Sequence, residues 1–309
     1  MIVPVLLVAG ALGAGKTTLL NHLLANPDGR RIAAIVNDFG AVDIDAQLLG
    51  TVTEEVISLK NGCICCSLQG DLLRTLSSVI KRDPAPDAIA IETSGISDPA
   101  EIIRNLMDPV IFKVAPLETV VTLVDPQRLH DEPALEQDGL WRSQLRAADF
   151  VLLTKSDLLA RDALDEVRAV VGRYKPQSAI FDIAHGVVAP DLLFSRDLRA
   201  PRTLPPRAPS SPLSFATVTW TSQAPLSLAR FQQVIGKIAP RTLRIKGVLL
   251  FTEHPAQPIL FQSVATRGTL APSPVPPADG LTAQLVLIGR EGEFDADELG
   301  ALLRGVEES

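Results

Sequence analysis

No apolar run in the 309-residue chain approaches the roughly 20 residues that span a bilayer, and no transmembrane helix is expected. Basic residues are not in excess. There are 29 Lys and Arg against 36 Asp and Glu, a net charge of −7, which argues against a nucleic-acid role carried by a broad basic surface. The apolar start, Met1 to Ala14, has no basic stretch ahead of it and runs into Lys16-Thr17-Thr18. It is therefore expected to be a buried strand and not a signal peptide. Cysteine is scarce: the three thiols, Cys63, Cys65 and Cys66, lie within four positions. That is too close for a fold-stapling disulfide framework, and it suits a reducing cytoplasm with metal or redox chemistry. The four histidines, His22, His130, His185 and His254, are scattered, and there is no internal repeat.

What is present is organised around Gly10-Ala11-Leu12-Gly13-Ala14-Gly15-Lys16-Thr17-Thr18. An apolar run precedes it and a helical run follows, which is the context of a phosphate-binding P-loop. Gly10 and Gly15 permit backbone angles that a Cβ forbids, so N–H groups of the loop, Gly13 and Ala14 included, can turn around an anion. The helix starting near Lys16 adds its positive dipole end. Lys16 would reach the β- and γ-phosphates and the Thr17 hydroxyl would bind Mg²⁺.

The rest of the first 200 residues alternates strand and helix. Apolar runs at Arg31–Val36, Val52–Leu59, Ala88–Ile91, Thr119–Val124, Phe150–Leu153 and Ala179–Ile183 read as strands. Leu68, Leu72, Leu73, Leu76, Val79 and Ile80 recur at helical spacing. This is the pattern of an α/β, doubly wound, mostly parallel sheet with ligand loops at the strand C-terminal ends. The proline-rich stretch 201–212 reads as a linker between this domain, residues 1–200, and a smaller α+β domain, residues 213–309.

Glu92 closes an apolar strand, the position of a Walker B acid that would hold Mg²⁺ directly or through water, and the Gly95 N–H could sense a γ-phosphate. Thr154-Lys155-Ser156-Asp157 follows the strand Phe150–Leu153 and is the base-reading candidate. Asp157 would accept from guanine N1–H and N2–H₂, which adenine lacks, and the Lys155 stem would cover the base plane. The three thiols offer soft ligands to a Zn²⁺-like ion, with a fourth ligand from elsewhere or from solvent. Buried structural cysteines and a redox pair remain alternatives.

With these residues in hand, the chain resembles the CobW-like metallochaperone GTPases, a branch of the P-loop GTPases. The stretches that carry the likeness are Gly10 to Thr18, Asn37-Asp38-Phe39-Gly40, Asn61-Gly62-Cys63-Ile64-Cys65-Cys66 and Glu92-Thr93-Ser94-Gly95 with Asp98-Pro99. Gln144 to Asp157 resembles the family's base-binding region, and Leu243 to Gly247 the start of its C-terminal domain core. The resemblance implies GTP hydrolysis coupled to delivery of a transition metal, zinc, cobalt or iron, to a client protein. It places Lys16, Glu92 and Asp38 among the catalytic candidates, and Cys63, Cys65 and Cys66 on the metal. Thr154 stands where Asn is usual, Asp38 where Glu is common, and no His-rich metal-storage tract is present. A metal-responsive regulator without metal delivery is the competing function; a small-molecule kinase is disfavoured by Asp157 and by the lack of a basic lid segment.

Overall fold

The computed structural model describes residues 2–36, 56–58, 68–176, 179–194, 215–264, 267–273, 276–278, 280–290 and 295–308. Asn37 to Gly40, the stretch Asn61 to Cys66 and the linker 201–212 lie outside the described residues. So do Asp38, Cys63, Cys65 and Cys66. The chain divides into two compact units, Met1–Phe194 and Ser195–Ser309.

The first unit is built on seven strands: β1 (Val5–Gly10), β2 (Ile32–Val36), β3 (Val56–Ser58), β4 (Ala88–Glu92), β5 (Leu117–Val124), β6 (Phe150–Leu153) and β7 (Ile180–Asp182). Their order across the sheet is β3-β2-β4-β1-β5-β6-β7, and every neighbouring pair is parallel. Strands covered on both faces read as continuous apolar runs, and β1, β2, β4, β5 and β6 are buried at every position. Successive residues still serve opposite faces. Val5 and Leu7 join Ala33, Ile35, Ile89 and Ile91 in one core, closed by Leu72, Leu76 and Val79 of the helix Leu68–Ile80. At about 1.5–3 kcal/mol per buried aliphatic side chain, those three residues hold that helix to the sheet.

The topology places the site. From β1 the chain moves outward to β2 and β3, returns to lay β4 beside β1, then crosses to β5 on its other side. β1 is thus the point where the winding reverses, and the loops after β1, β4 and β5 converge at one sheet end. Aspartates start many of the helices that follow these strands. The side chains of Asp98, Asp108, Asp125 and Asp138 accept from backbone N–H groups at the starts of Pro99–Leu106, Pro109–Phe112, Pro126–Asp131 and Gly139–Ala147. In three of these, proline takes the first helical position, where its missing N–H is not needed.

The second unit is a five-stranded antiparallel sheet of β8 (Phe215–Ser222), β9 (Arg244–Leu249), β10 (Ile259–Val264), β11 (Arg267–Pro272) and β12 (Ala283–Arg290), ordered β11-β10-β9-β12-β8. The helices Leu228–Ile238 and Ala296–Arg304 contribute Phe231, Leu299 and Leu303 to its core. Strand β11 lies outside the apolar runs Leu213–Trp220, Leu243–Thr252, Ile259–Thr266 and Leu281–Ile288 that read as this domain's strands. Each unit holds one of the chain's two tryptophans. Trp141 meets Tyr174 edge-on at 5.5 Å in the first, and Trp220 lies in the second unit's core.

Candidate functional site

The loop after β1 takes its shape from three glycines. Gly10, Gly13 and Gly15 have φ of 140°, 77° and 92°, in the region that L side chains rarely adopt. At Gly10 the constraint is also spatial, because a Cβ would stand 2.5 Å from the Leu123 carbonyl oxygen of β5. Gly15 is the left-handed N-cap of the helix Lys16–Ala25, whose first turn carries no acidic residue. The N–H groups of that turn and the helix dipole suit an anion there.

Every carbonyl from Gly10 to Ala14 accepts from a side chain. Lys16 Nζ, almost fully buried, donates to Gly10 O at 3.0 Å and Ala11 O at 3.1 Å. Arg128 Nη1 donates to Leu12 O at 3.4 Å, Lys155 Nζ to Gly13 O at 3.1 Å and Thr154 Oγ1 to Ala14 O at 2.9 Å. In a trans peptide the carbonyl and the next N–H point opposite ways. Holding the carbonyls of Leu12 and Ala14 therefore directs the N–H groups of Gly13 and Gly15 away from those donors, as an anion-binding nest requires, while Ala14 N donates within the loop to Ala11 O at 3.2 Å.

The end of β4 lies beside this loop. Glu92 is buried and in register with Val8 of β1, and Thr93 N donates to Val8 O at 2.9 Å. Gly95 abuts the loop tip so closely that a Cβ there would meet Leu12 N at 2.6 Å and Leu12 Cα at 2.8 Å. Gln144, fully buried on the helix Gly139–Ala147, donates through Nε2 toward Gly95 O at 3.5 Å and Ser97 O at 3.4 Å. Ser143 donates to the capping carboxylate of Asp98 at 2.8 Å. Gln144 thus holds the loop after β4, a role its place at the head of the expected base region did not suggest.

The loop after β6 completes the site. Thr154 Oγ1 also contacts Val124 O at 3.2 Å, so one hydroxyl ties β5, β6 and the glycine loop together. Lys155, with φ of 51°, pairs with Asp125 at 2.6 Å while reaching Gly13 O. Asp157 stands half-exposed, and His185 Nε2 lies 3.8 Å from its Oδ2. His185 itself has φ of 53°, and a Cβ on the next residue, Gly186, would meet Thr18 O at 2.8 Å. The structure therefore gathers Gly10, Gly13, Ala14, Gly15, Lys16, Thr17, Thr18, Glu92, Gly95, Thr154, Lys155 and Asp157 at one sheet end. Asp125, Arg128 and His185 are additions. The first two were hidden behind Asp125-Pro126, which sequence reading takes as a strand stop although it also signals a helix start.

The profile of the CobW/HypB/UreG, nucleotide-binding domain matches residues 4–182. The chain belongs to this family. A second match, to the Cobalamin synthesis protein cobW C-terminal domain, covers residues 215–307. Among curated proteins, the chain is 37% identical over 202 residues to a "Zinc chaperone CobW" of Pseudomonas aeruginosa, covering 56% of this chain and 54% of that protein. It is 35% identical over 198 residues to "Zinc chaperone YjiA" of Escherichia coli, covering 62% and 61%. The matches thus span between about half and just under two thirds of these relatives' length. A crystal structure of Zn(II)-bound YjiA GTPase from E. coli aligns over the whole of both chains at 26% identity with a TM-score of 0.49. In this CobW/HypB/UreG chain, no group of three His, Cys, Asp or Glu side chains suited to a metal gathers among the described residues. Among those residues, no helix is long and apolar enough to cross a membrane.

Proposed function

We propose that the chain is a GTP-hydrolysing metallochaperone that takes a transition metal through Cys63, Cys65 and Cys66 and delivers it to a client protein. The observation that carries the nucleotide half is the glycine loop, tied through Thr154 and Lys155 to the loop that bears Asp157. The phosphate cradle and the base reader are thereby one piece. Lys16, already on the loop's first two carbonyls, would turn its ammonium to the β- and γ-phosphates. Asp157 would take the two guanine donors.

Mg²⁺ fits the donor set, since Thr17 offers a hydroxyl and Glu92 a carboxylate, both hard oxygen ligands. When bound it would neutralise charge on the β- and γ-phosphates. The metal half is supported by the names of the curated relatives and by the spacing of the thiols. Zn²⁺ is the first choice of cargo, with Co²⁺ and Fe²⁺ as competitors. The proposed client docks on this chain as a partner; neither nucleic acid nor membrane enters the cycle.

Two measurements test this reading. Lys16→Ala should abolish GTP hydrolysis while circular dichroism shows the fold intact, because Lys16 offsets phosphate charge in the transition state. Turnover at the wild-type rate would remove the P-loop from the mechanism. Titration of Zn²⁺ and Co²⁺ into GDP- and GTP-analogue-loaded protein should give affinities that differ about 5- to 150-fold. A triple Cys→Ser variant should lose the site. Equal affinities in both nucleotide states would leave a metal site without a delivery cycle.

A further inference from the structure

Two of the groups that hold the glycine loop share one carboxylate. Asp125 directly follows β5, and its side chain is 16% exposed. Its Oδ2 accepts from Lys155 Nζ at 2.6 Å, and the same ammonium donates to Gly13 O at 3.1 Å. Its Oδ1 accepts from the Arg128 backbone N at 3.2 Å, capping the helix Pro126–Asp131, whose Arg128 side chain reaches Leu12 O. The carboxylate thus stands behind two successive carbonyls of the loop, through an ion pair on one oxygen and a helix cap on the other. One residue back, Val124 O accepts from Thr154 N at 2.9 Å, so the same strand end also holds the loop that bears Asp157.

The ion pair has a task that follows from charge. Lys155 is 43% exposed, and its ammonium ends a flexible stem beside a loop suited to phosphate. Without a fixed counter-charge, that ammonium would be drawn to the phosphates and leave Gly13 O. Asp125 holds it on the carbonyl with a charge-assisted bond. The peptide between Gly13 and Ala14 is then fixed twice, its carbonyl by Lys155 and its N–H by Ala11 O at 3.2 Å. Lys155 is anchored at its other end by a left-handed backbone, with φ of 51°. Pinning Nζ therefore fixes the stem between, which is the candidate cover for the base plane. Lys16 is left as the ammonium that serves the phosphates.

We infer that Asp125 is a positioning residue for nucleotide binding, whose carboxylate, through Lys155, locks the base-covering stem to the glycine loop. This rests on the guanine-nucleotide reading above and names the charge that makes its two loops act together. Asp125 touches no nucleotide atom in this role; it acts wholly through Lys155. The competing role is a structural one, in which Asp125 serves the fold through its helix cap alone.

The test is a binding cycle on the full chain. Asp125→Asn and Asp125→Ser keep a capping oxygen, and with it the helix start, but carry no charge. Lys155→Met keeps the stem without the ammonium, and Asp125→Asn combined with Lys155→Met closes the cycle. The Kd of GDP and of inosine diphosphate, which lacks the N2 amino group, is measured on each. Asp125→Asn and Asp125→Ser should each weaken GDP about tenfold, the weight of one hydrogen bond to a charged group. Inosine diphosphate should weaken by the same factor, because Asp157 stays in place. The double variant should bind GDP within about twofold of Lys155→Met alone, since the pair acts as one unit. Wild-type GDP affinity in both position-125 variants would overturn the proposal. Losses that add in the double variant, or a lost preference for GDP over inosine diphosphate, would assign the structural role and overturn it too. If the wild-type chain binds GDP no better than ADP, the guanine-nucleotide reading itself falls, and this role with it.

Discussion

At the residue scale, Thr154 shows how a departure from the usual base motif is absorbed. Its hydroxyl, buried, sits between Ala14 O and Val124 O. Thr154→Val keeps the shape but leaves two buried carbonyls without that partner. It is expected to lower stability by about 1–3 kcal/mol, and to weaken GDP binding because the Ala14 peptide is no longer held. Urea unfolding with and without GDP separates the two effects, and unchanged GDP affinity would remove the tether from the binding argument. Gly95 permits a sharper test. An added Cβ would press on Leu12 N and Cα, both backbone, so Gly95→Ala must displace the loop tip. Hydrolysis is expected to fall by about 10²-fold, the size of effect that a misplacement of roughly 1 Å produces. A variant at full rate would show that the tip has room to move.

The elements explain which parts of this chain could be read in advance. Strand β6 begins and ends where its apolar run does, and the six-residue helical pattern from Leu68 marks its helix correctly. Unbroken burial makes the strand legible, and the periodic burial of Leu72, Leu76 and Val79 the helix. The helices Pro99–Leu106, Pro126–Asp131 and Gly139–Ala147 were not read, because each is short and half its surface is polar. Their starts were written in Asp-Pro and Asp-Gly pairs that also serve as turns. Strand β11 was invisible for another reason: Arg267–Pro272 lies at the sheet edge with Thr269 and Leu270 exposed, so no alternation was imposed on it. In the site, the loop backbone was legible because glycines announce it. The grip on its carbonyls was not: Thr154 and Lys155 were read as a base loop alone, and no local pattern couples Arg128, more than a hundred residues away, to the glycines. The thiols lie outside the described residues and their assignment still rests on spacing.

Two expectations belong to this scale. Asp295 accepts from the N–H groups of Asp297 and Glu298 at the start of the last helix, and Asp295→Ala should cost about 0.5–2 kcal/mol in chemical unfolding. Asp87 joins the beginnings of β2 and β4, accepting from Arg31 Nη2 at 2.8 Å, Nε at 3.1 Å and the backbone N at 2.8 Å. The Arg31 guanidinium holds its carboxyl below the usual range. A carboxylate depressed in the folded state contributes stability above its unfolded value of about 3.9, and that contribution is lost as pH falls through the folded value. Asp87→Asn should therefore flatten the acid side of the stability profile below about pH 4 and leave the slope near pH 7 unchanged. A parallel profile for the two proteins would contradict the pairing.

At the scale of the whole molecule, two separate cores carry different obligations, and the tethered loop belongs to the first. GDP at about a hundred times its Kd should stabilise the fold that binds it by about 2.7 kcal/mol, and ATP at the same concentration should do far less. The placement of Trp141 and Trp220, one in each core, turns this into an optical measurement. Indole emission shifts to longer wavelength when the ring meets water, and both rings are 7% exposed in the folded chain. In Trp220→Phe the remaining signal reports the nucleotide-binding unit alone, and its midpoint should move with GDP. In Trp141→Phe it reports the other. The chain carries a separate intrinsic fluorophore for each half of its architecture, so the unfolding of the nucleotide-binding unit can be told from that of the other without a label.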